Sequence, residues 1–206
     1  MGILMEQLYE DLEEAKAFEL SFTNFVYDYD DLPGGFYDSV VCEKCGRIAQ
    51  TKDYMAPKAN CRKPSGIRAN YTFGVSQELR DELIARFDVT EEDFRPIRSK
   101  ANEVVYYQIA PRHVMLPFYQ VNKWTPKQPC PQCGTVLFEG DDFENEKGEP
   151  FSYISQEALD EMQDFNVTRE LFSRFFCPKY IISRRVYDFL VEKYPRTHYF
   201  PLYLKK

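Results

Sequence analysis

Hydrophobic positions along this chain switch between a period of two and a period near four, and the switches mark its elements. Leu4, Leu8 and Leu12 fall four apart with acids between them, which predicts an amphipathic helix over 3–16. Phe18, Leu20 and Phe22 then alternate with Glu19 and Ser21, the pattern of a half-buried strand. Leu32-Pro33-Gly34-Gly35 breaks the alternation. Residues 50–70 read as loop, with Pro57, Asn60, Pro64, Ser65 and Gly66 supplying turn chemistry. Strands are expected over 71–75, 104–109, 114–121 (interrupted by Pro117), 136–138 and 198–204.

Helix starts are signalled by serine. Ser76 precedes a helix through Leu79, Leu83 and Phe87, and Thr90 with Asp93 marks the start of a second short helix. Val75-Ser76-Gln77-Glu78, Ile154-Ser155-Gln156-Glu157 and Ile182-Ser183-Arg184-Arg185 repeat one plan: an apolar strand end, a serine cap, then a helix. Leu79, Leu83 and Phe87 align with Val186, Leu190 and Tyr194. Internal duplication and independent use of a good cap both account for the repeat. The pattern predicts an α+β fold in which a mixed sheet carries its helices on one side. It forms a single domain, 1–206, led by a helical extension, 1–17.

Composition adds a core and excludes several classes. Hydrophobic residues make up 44% and aromatics 16%, with 17 Phe and 15 Tyr, enough for a packed interior in 206 residues. No run approaches the roughly 18 apolar residues of a membrane span. The opening Met1-Gly2-Ile3-Leu4-Met5-Glu6 lacks the basic region of a secretory signal. A cytoplasmic location and no membrane partner are therefore expected. The net charge of −7, from 26 basic and 33 acidic residues, opposes sequence-independent nucleic-acid binding. Asp141, Asp142, Glu144 and Glu146 form an acidic run after Phe138, a candidate face for a basic protein partner.

The chemistry lies in two copies of one signature, Cys42-Glu43-Lys44-Cys45-Gly46 and Cys130-Pro131-Gln132-Cys133-Gly134. A tight C-x-x-C turn aims both sulfurs at one spot, and two such turns complete a tetrahedral four-thiolate site. Cys42, Cys45, Cys130 and Cys133 are thus the candidate ligands of a structural zinc ion, in a ribbon-like element built from about 38–50 and 125–140. Four sulfurs leave the ion no open position for water, so its role is to hold chain segments together. Reduced surface thiols and redox dithiols are the competing readings. The redox one lacks the strand-then-helix setting of such motifs. Cys61 and Cys177 read as uninvolved thiols, Cys177 as a small buried hydrophobe.

Catalytic signatures are scarce, and no enzyme is expected. The two histidines, His113 and His198, fit no metal-hydrolase spacing, and no phosphate loop or nucleophile elbow is present. Lys52, Lys58, Arg62, Lys63 and Arg68 make a basic loop beside the first knuckle, the basis of an alternative reading as a zinc-ribbon nucleic-acid-binding or regulatory protein.

The doubled C-x-x-C-G resembles the bacterial double-CXXCG motif family. The same order of features continues with Phe18-Glu19-Leu20-Ser21-Phe22, the Leu32-Pro33-Gly34 turn, Tyr180 to Leu190 and Phe200-Pro201-Leu202. The resemblance covers the chain from Phe18 onward and leaves the leading helix outside it. It implies an immunity protein of a polymorphic toxin system, one that binds and neutralises a cognate toxin. Only the four knuckle cysteines carry over by residue, as metal ligands. Toxin-binding surfaces diverge with the toxin.

Overall fold

Alternation builds the centre of the molecule. In a computed structural model, which describes residues 12–21, 42–45, 54–56, 67–69, 72–99, 101–139, 152–172, 178–193 and 198–205, Phe18 and Leu20 point into one core and Ala17 into another. Their strand, β1 (Ala17–Ser21), lies in the middle of a five-stranded sheet. It pairs antiparallel with β12 (Tyr180–Ser183) and β13 (His198–Leu204). β10 (Phe165–Val167) flanks β12 antiparallel, and β9 (Ser152–Ile154) flanks β13 parallel, giving the order β10-β12-β1-β13-β9.

Both faces of this sheet are covered. Phe18, Leu20, Ile182 and Tyr199 pack with Leu79 and Leu83 of α1 (Gln77–Arg86) and with Val186 and Leu190 of α4 (Arg184–Lys193). The ring of Phe18 stacks on Tyr187 at 3.6 Å between centroids. On the opposite face Ala17, Ile181, Leu202 and Ile154 meet Met115, Phe118 and Trp124, together with Ala158 of α3 (Gln156–Glu161). The expected one-sided helix layer therefore holds for the two ten-residue helices only. The short α3 and α2 (Tyr119–Asn122) belong to the other side, because Ile181 and Leu202 leave that face apolar too.

A second sheet has the order β2-β5-β6-β4-β3, from β2 (Tyr54–Ala56), β5 (Phe94–Ser99), β6 (Val104–Ile109), β4 (Thr72–Val75) and β3 (Ile67–Ala69). Val75, Phe94 and Ile109 carry it into the first core. The 50–70 segment read as loop thus contributes two three-residue strands. The third sheet is small: β7 (Thr125–Pro126), β8 (Leu137–Glu139) and β11 (Leu171–Phe172), in the order β11-β8-β7.

All three serines cap their helices. Ser76, Ser155 and Ser183 accept from the N–H groups of Leu79, Ala158 and Val186 at 3.2, 3.1 and 3.3 Å. The leading helix is different. Residues 1–11 lie outside the described residues, Leu12–Glu14 form one 3-10 turn, and Ala17 already belongs to β1. Arg184 donates to the carbonyls of Leu12 and Ala15 at 2.9 and 3.4 Å, which fixes this turn at the entry to β1.

The expected strand over 114–121 is also replaced. Val114 makes a single bridge to Val167, after which the chain coils into α2. The cause is Glu170, only 1% exposed, whose Oε1 accepts from the N–H groups of Phe118 and Tyr119 at 2.5 and 2.9 Å. Glu170→Ala is expected to strand the buried Phe118 N–H and the half-buried Tyr119 N–H and cost about 2–3 kcal/mol, measurable by urea denaturation. Glu170→Gln, which keeps an acceptor, should lose less.

Both edges of the first sheet are closed as well. Asn122 donates to Tyr153 O at 3.0 Å and accepts from Tyr153 N at 2.6 Å, so a side-chain amide stands in for a strand beside β9. At the other edge Met115 N and His113 O bond Val167 at 3.0 and 2.9 Å.

Candidate metal centre

The second knuckle is the tip of a hairpin. Thr125 pairs with Glu139 and Pro126 with Phe138, and Lys127 N donates to Leu137 O at 2.7 Å. Between these strands the chain turns tightly. Gly134 N donates to Cys130 O at 2.8 Å, and Cys130 N donates to Thr135 O at 2.9 Å. Gly134 closes the turn at φ +69°, a left-handed conformation that a Cβ resists even though the space beside it is open. Of the first knuckle, residues 42–45 are described and form a turn.

The fold brings the two turns together. Cys42 Sγ lies 3.9 Å from Cys130 Sγ, and Cys45 Sγ lies 3.6 Å from Cys133 Sγ. All four sulfurs fall within 4.8 Å of one another. None of the four is in a disulfide, and these separations far exceed the roughly 2.05 Å of an S–S bond. The arrangement is a four-sulfur cage able to hold one metal ion. Among the described residues no other group of three or more His, Cys, Asp or Glu does so.

The turn prepares its sulfurs as thiolates, the form that binds metal. The Cys133 thiol is pushed down to about 6, first by the hydroxyl of Thr135 and then by the Thr135 backbone. Thr135 Oγ1 is 3.1 Å from the sulfur; its hydroxyl donates once the thiol has ionised. Cys130 is lowered too, by the backbone N–H groups of Cys133 and Gln132. Cys130 is buried and Cys133 exposed, so the cage presents one side to solvent.

The hairpin is anchored to the main body. Leu171 and Phe172 of β11 pair in parallel with Leu137 and Phe138. Tyr119 meets Phe138 at 5.4 Å, and Trp124, the sole tryptophan, packs 6.4 Å from Phe118 just before β7. Glu170 therefore stands between β11 and α2, where the sheet that carries the second knuckle joins the second core.

The other sites named from sequence are placed differently. Asp141, Asp142, Glu144 and Glu146 lie outside the described residues, as do Cys61 and Cys177. Among the described residues, His113 and His198 join no group of three or more His, Cys, Asp or Glu that could hold a metal ion.

Sequence reasoning missed a buried carboxylate. Asp164, 2% exposed, accepts from Ser183 Oγ at 2.6 Å, from Arg185 Nε at 2.7 Å and from the Asp88 N–H at 2.8 Å, while a second Arg185 nitrogen completes a bidentate pair. A signal for this region existed. Phe87-Asp88-Val89-Thr90-Glu91-Glu92-Asp93-Phe94 and Phe165-Asn166-Val167-Thr168-Arg169-Glu170-Leu171-Phe172 share Phe, Val, Thr, Glu and Phe at matching positions, and each follows a Ser-Gln-Glu cap. The likeness is one of sequence only: 91–93 form a 3-10 turn before β5, whereas 165–167 are β10 and the chain runs past Glu170 into β11.

Comparison of the chain with protein-family models, with curated proteins and with solved structures gives no match.

Proposed function

We propose that this chain is a zinc-braced binding protein of the immunity type, which neutralises a toxin by occluding it. The observation that carries the reading is the convergence of Cys42, Cys45, Cys130 and Cys133 from two remote knuckles onto one cage. A tetrahedral zinc ion with Zn–S bonds of about 2.3 Å requires S···S edges of about 3.8 Å. The cross-knuckle distances of 3.6 and 3.9 Å bracket that edge. Four thiolates fill the coordination shell, so the ion supplies folding energy and orients the hairpin rather than activating a substrate.

An inhibitor of this kind requires a stiff body and a complementary surface. The first sheet, covered on both faces and closed at both edges, supplies the first. The acidic run Asp141, Asp142, Glu144 and Glu146 suits the second, because negative charge speeds encounter with a basic toxin. The cytoplasm, which keeps thiols reduced, suits the cage.

Co-expression with the product of the adjacent gene tests the reading. The expected result is rescue of growth and a co-purifying complex, weakened when Asp141, Asp142, Glu144 and Glu146 are changed together to their amides. A chain that protects against no neighbouring toxin and captures none would refute it.

A further inference from the structure

The four sulfurs are unequally sheltered. Cys130 is buried and Cys42 half-buried, whereas Cys133 is exposed, with half-buried Cys45 at 3.6 Å across the cage. An ion held here keeps one thiolate edge within reach of small solutes. We propose that this Cys45–Cys133 edge is a redox-responsive element: hydrogen peroxide oxidises the pair to a disulfide and expels the ion, while the two segments stay covalently joined. The inference depends on the metal reading above and adds regulation to it.

The step balances. The Cys133 sulfur attacks one oxygen of the peroxide, an S–O bond forms, the O–O bond breaks and hydroxide leaves. The Cys45 thiolate then attacks the sulfenic sulfur, an S–S bond forms, and the S–O bond breaks with loss of a second hydroxide. Two protons from solvent convert both hydroxides to water. Two electrons pass from the sulfur pair to the peroxide. Zinc undergoes no redox change and leaves as the divalent ion, because Cys42 and Cys130 alone cannot complete its four-coordinate shell.

Which sulfurs join decides the outcome for the fold. A bridge within one knuckle would cut the link between the two segments. A bridge from Cys45 to Cys133, 88 positions apart in sequence, replaces the metal staple with a covalent one.

The experiment uses the full chain. Purified protein, freed of reductant, is titrated with hydrogen peroxide beside a chromophoric zinc chelator, then peptide-mapped without reduction. Expected are zinc release in step with peroxide, a Cys45–Cys133 bridge, reversal by dithiothreitol with added zinc, and a higher melting temperature than chelator-stripped, reduced protein. Any other bridge, or zinc retained after oxidation, overturns the proposal. Zinc content of the untreated protein separates the two levels. Protein without metal at the outset overturns the metal reading and this inference with it. Stoichiometric zinc followed by a different bridge overturns the redox step alone.

Discussion

Cys130→Ser is expected to strip the chain of zinc and to lower its melting temperature by on the order of 10 °C. Apparent zinc-binding free energies of structural four-ligand sites run to about 10–16 kcal/mol, whereas whole domains are stable by about 5–15 kcal/mol. A loss of even a third of the binding term, about 3–5 kcal/mol, removes a large share of such a stability. Cys130 is the most telling ligand to change, since it is buried, starts the turn closed by Gly134 and faces Cys42 at 3.9 Å. Metal analysis and calorimetry on the same preparation check the expectation, and Trp124 beside β7 offers a fluorescence readout. Loss of zinc with an unchanged melt would falsify the structural role.

Arg185→Ala is expected to destabilise the fold, through the buried carboxylate it leaves behind. The Asp164 side chain is 2% exposed, while that of Arg185 is 56% exposed. Removing the arginine therefore strands a buried charge, whereas removing the aspartate returns a cation to solvent. Arg185 also reaches Asp88 at 2.7 Å, so the pair ties the end of α1 to the start of α4 and the turn before β10. Burial pushes the Asp164 carboxyl up, but the hydrogen bonds from Arg185, Ser183 and the Asp88 N–H outweigh it and hold the group below its ordinary range. The unfolded chain then takes up this proton more readily than the folded one. The associated stability is complete above about pH 4 and is lost as pH falls through the depressed value. Urea melts at stepped pH should show this acid loss in the natural protein. Its slope should flatten in Arg185→Ala and in Asp164→Asn.

Much of this architecture was legible, and the reason is local chemistry. The three serine caps, the Thr90–Asp93 turn and the strands ending at Val75, Ile109 and Leu204 each depend on a few neighbouring residues. The cage was legible because thiolate spacing is itself a constraint. Features created by distant partners were not. Nothing around Glu170 says that its carboxylate will turn 118–119 into a helix start, and nothing around Asp164 names Arg185. Of the helix expected over 3–16, residues 3–11 lie outside the described residues, and Leu12–Glu14 form a 3-10 turn just before β1. Helices on both sheet faces also escaped notice. The second apolar face is assembled from Ala17, Ile181 and Leu202, one residue from each of three strands.

The position of β1 carries a consequence for synthesis. Residues 17–21 leave the ribosome early, yet both of their hydrogen-bonding neighbours, 180–183 and 198–204, are made late. At about 5–20 residues per second the early segment waits many seconds with Phe18 and Leu20 unshielded. The first thiolate pair waits likewise for the second. The central layer therefore forms only after both of these later strands have emerged, and a nascent-chain chaperone has its longest opportunity at that segment.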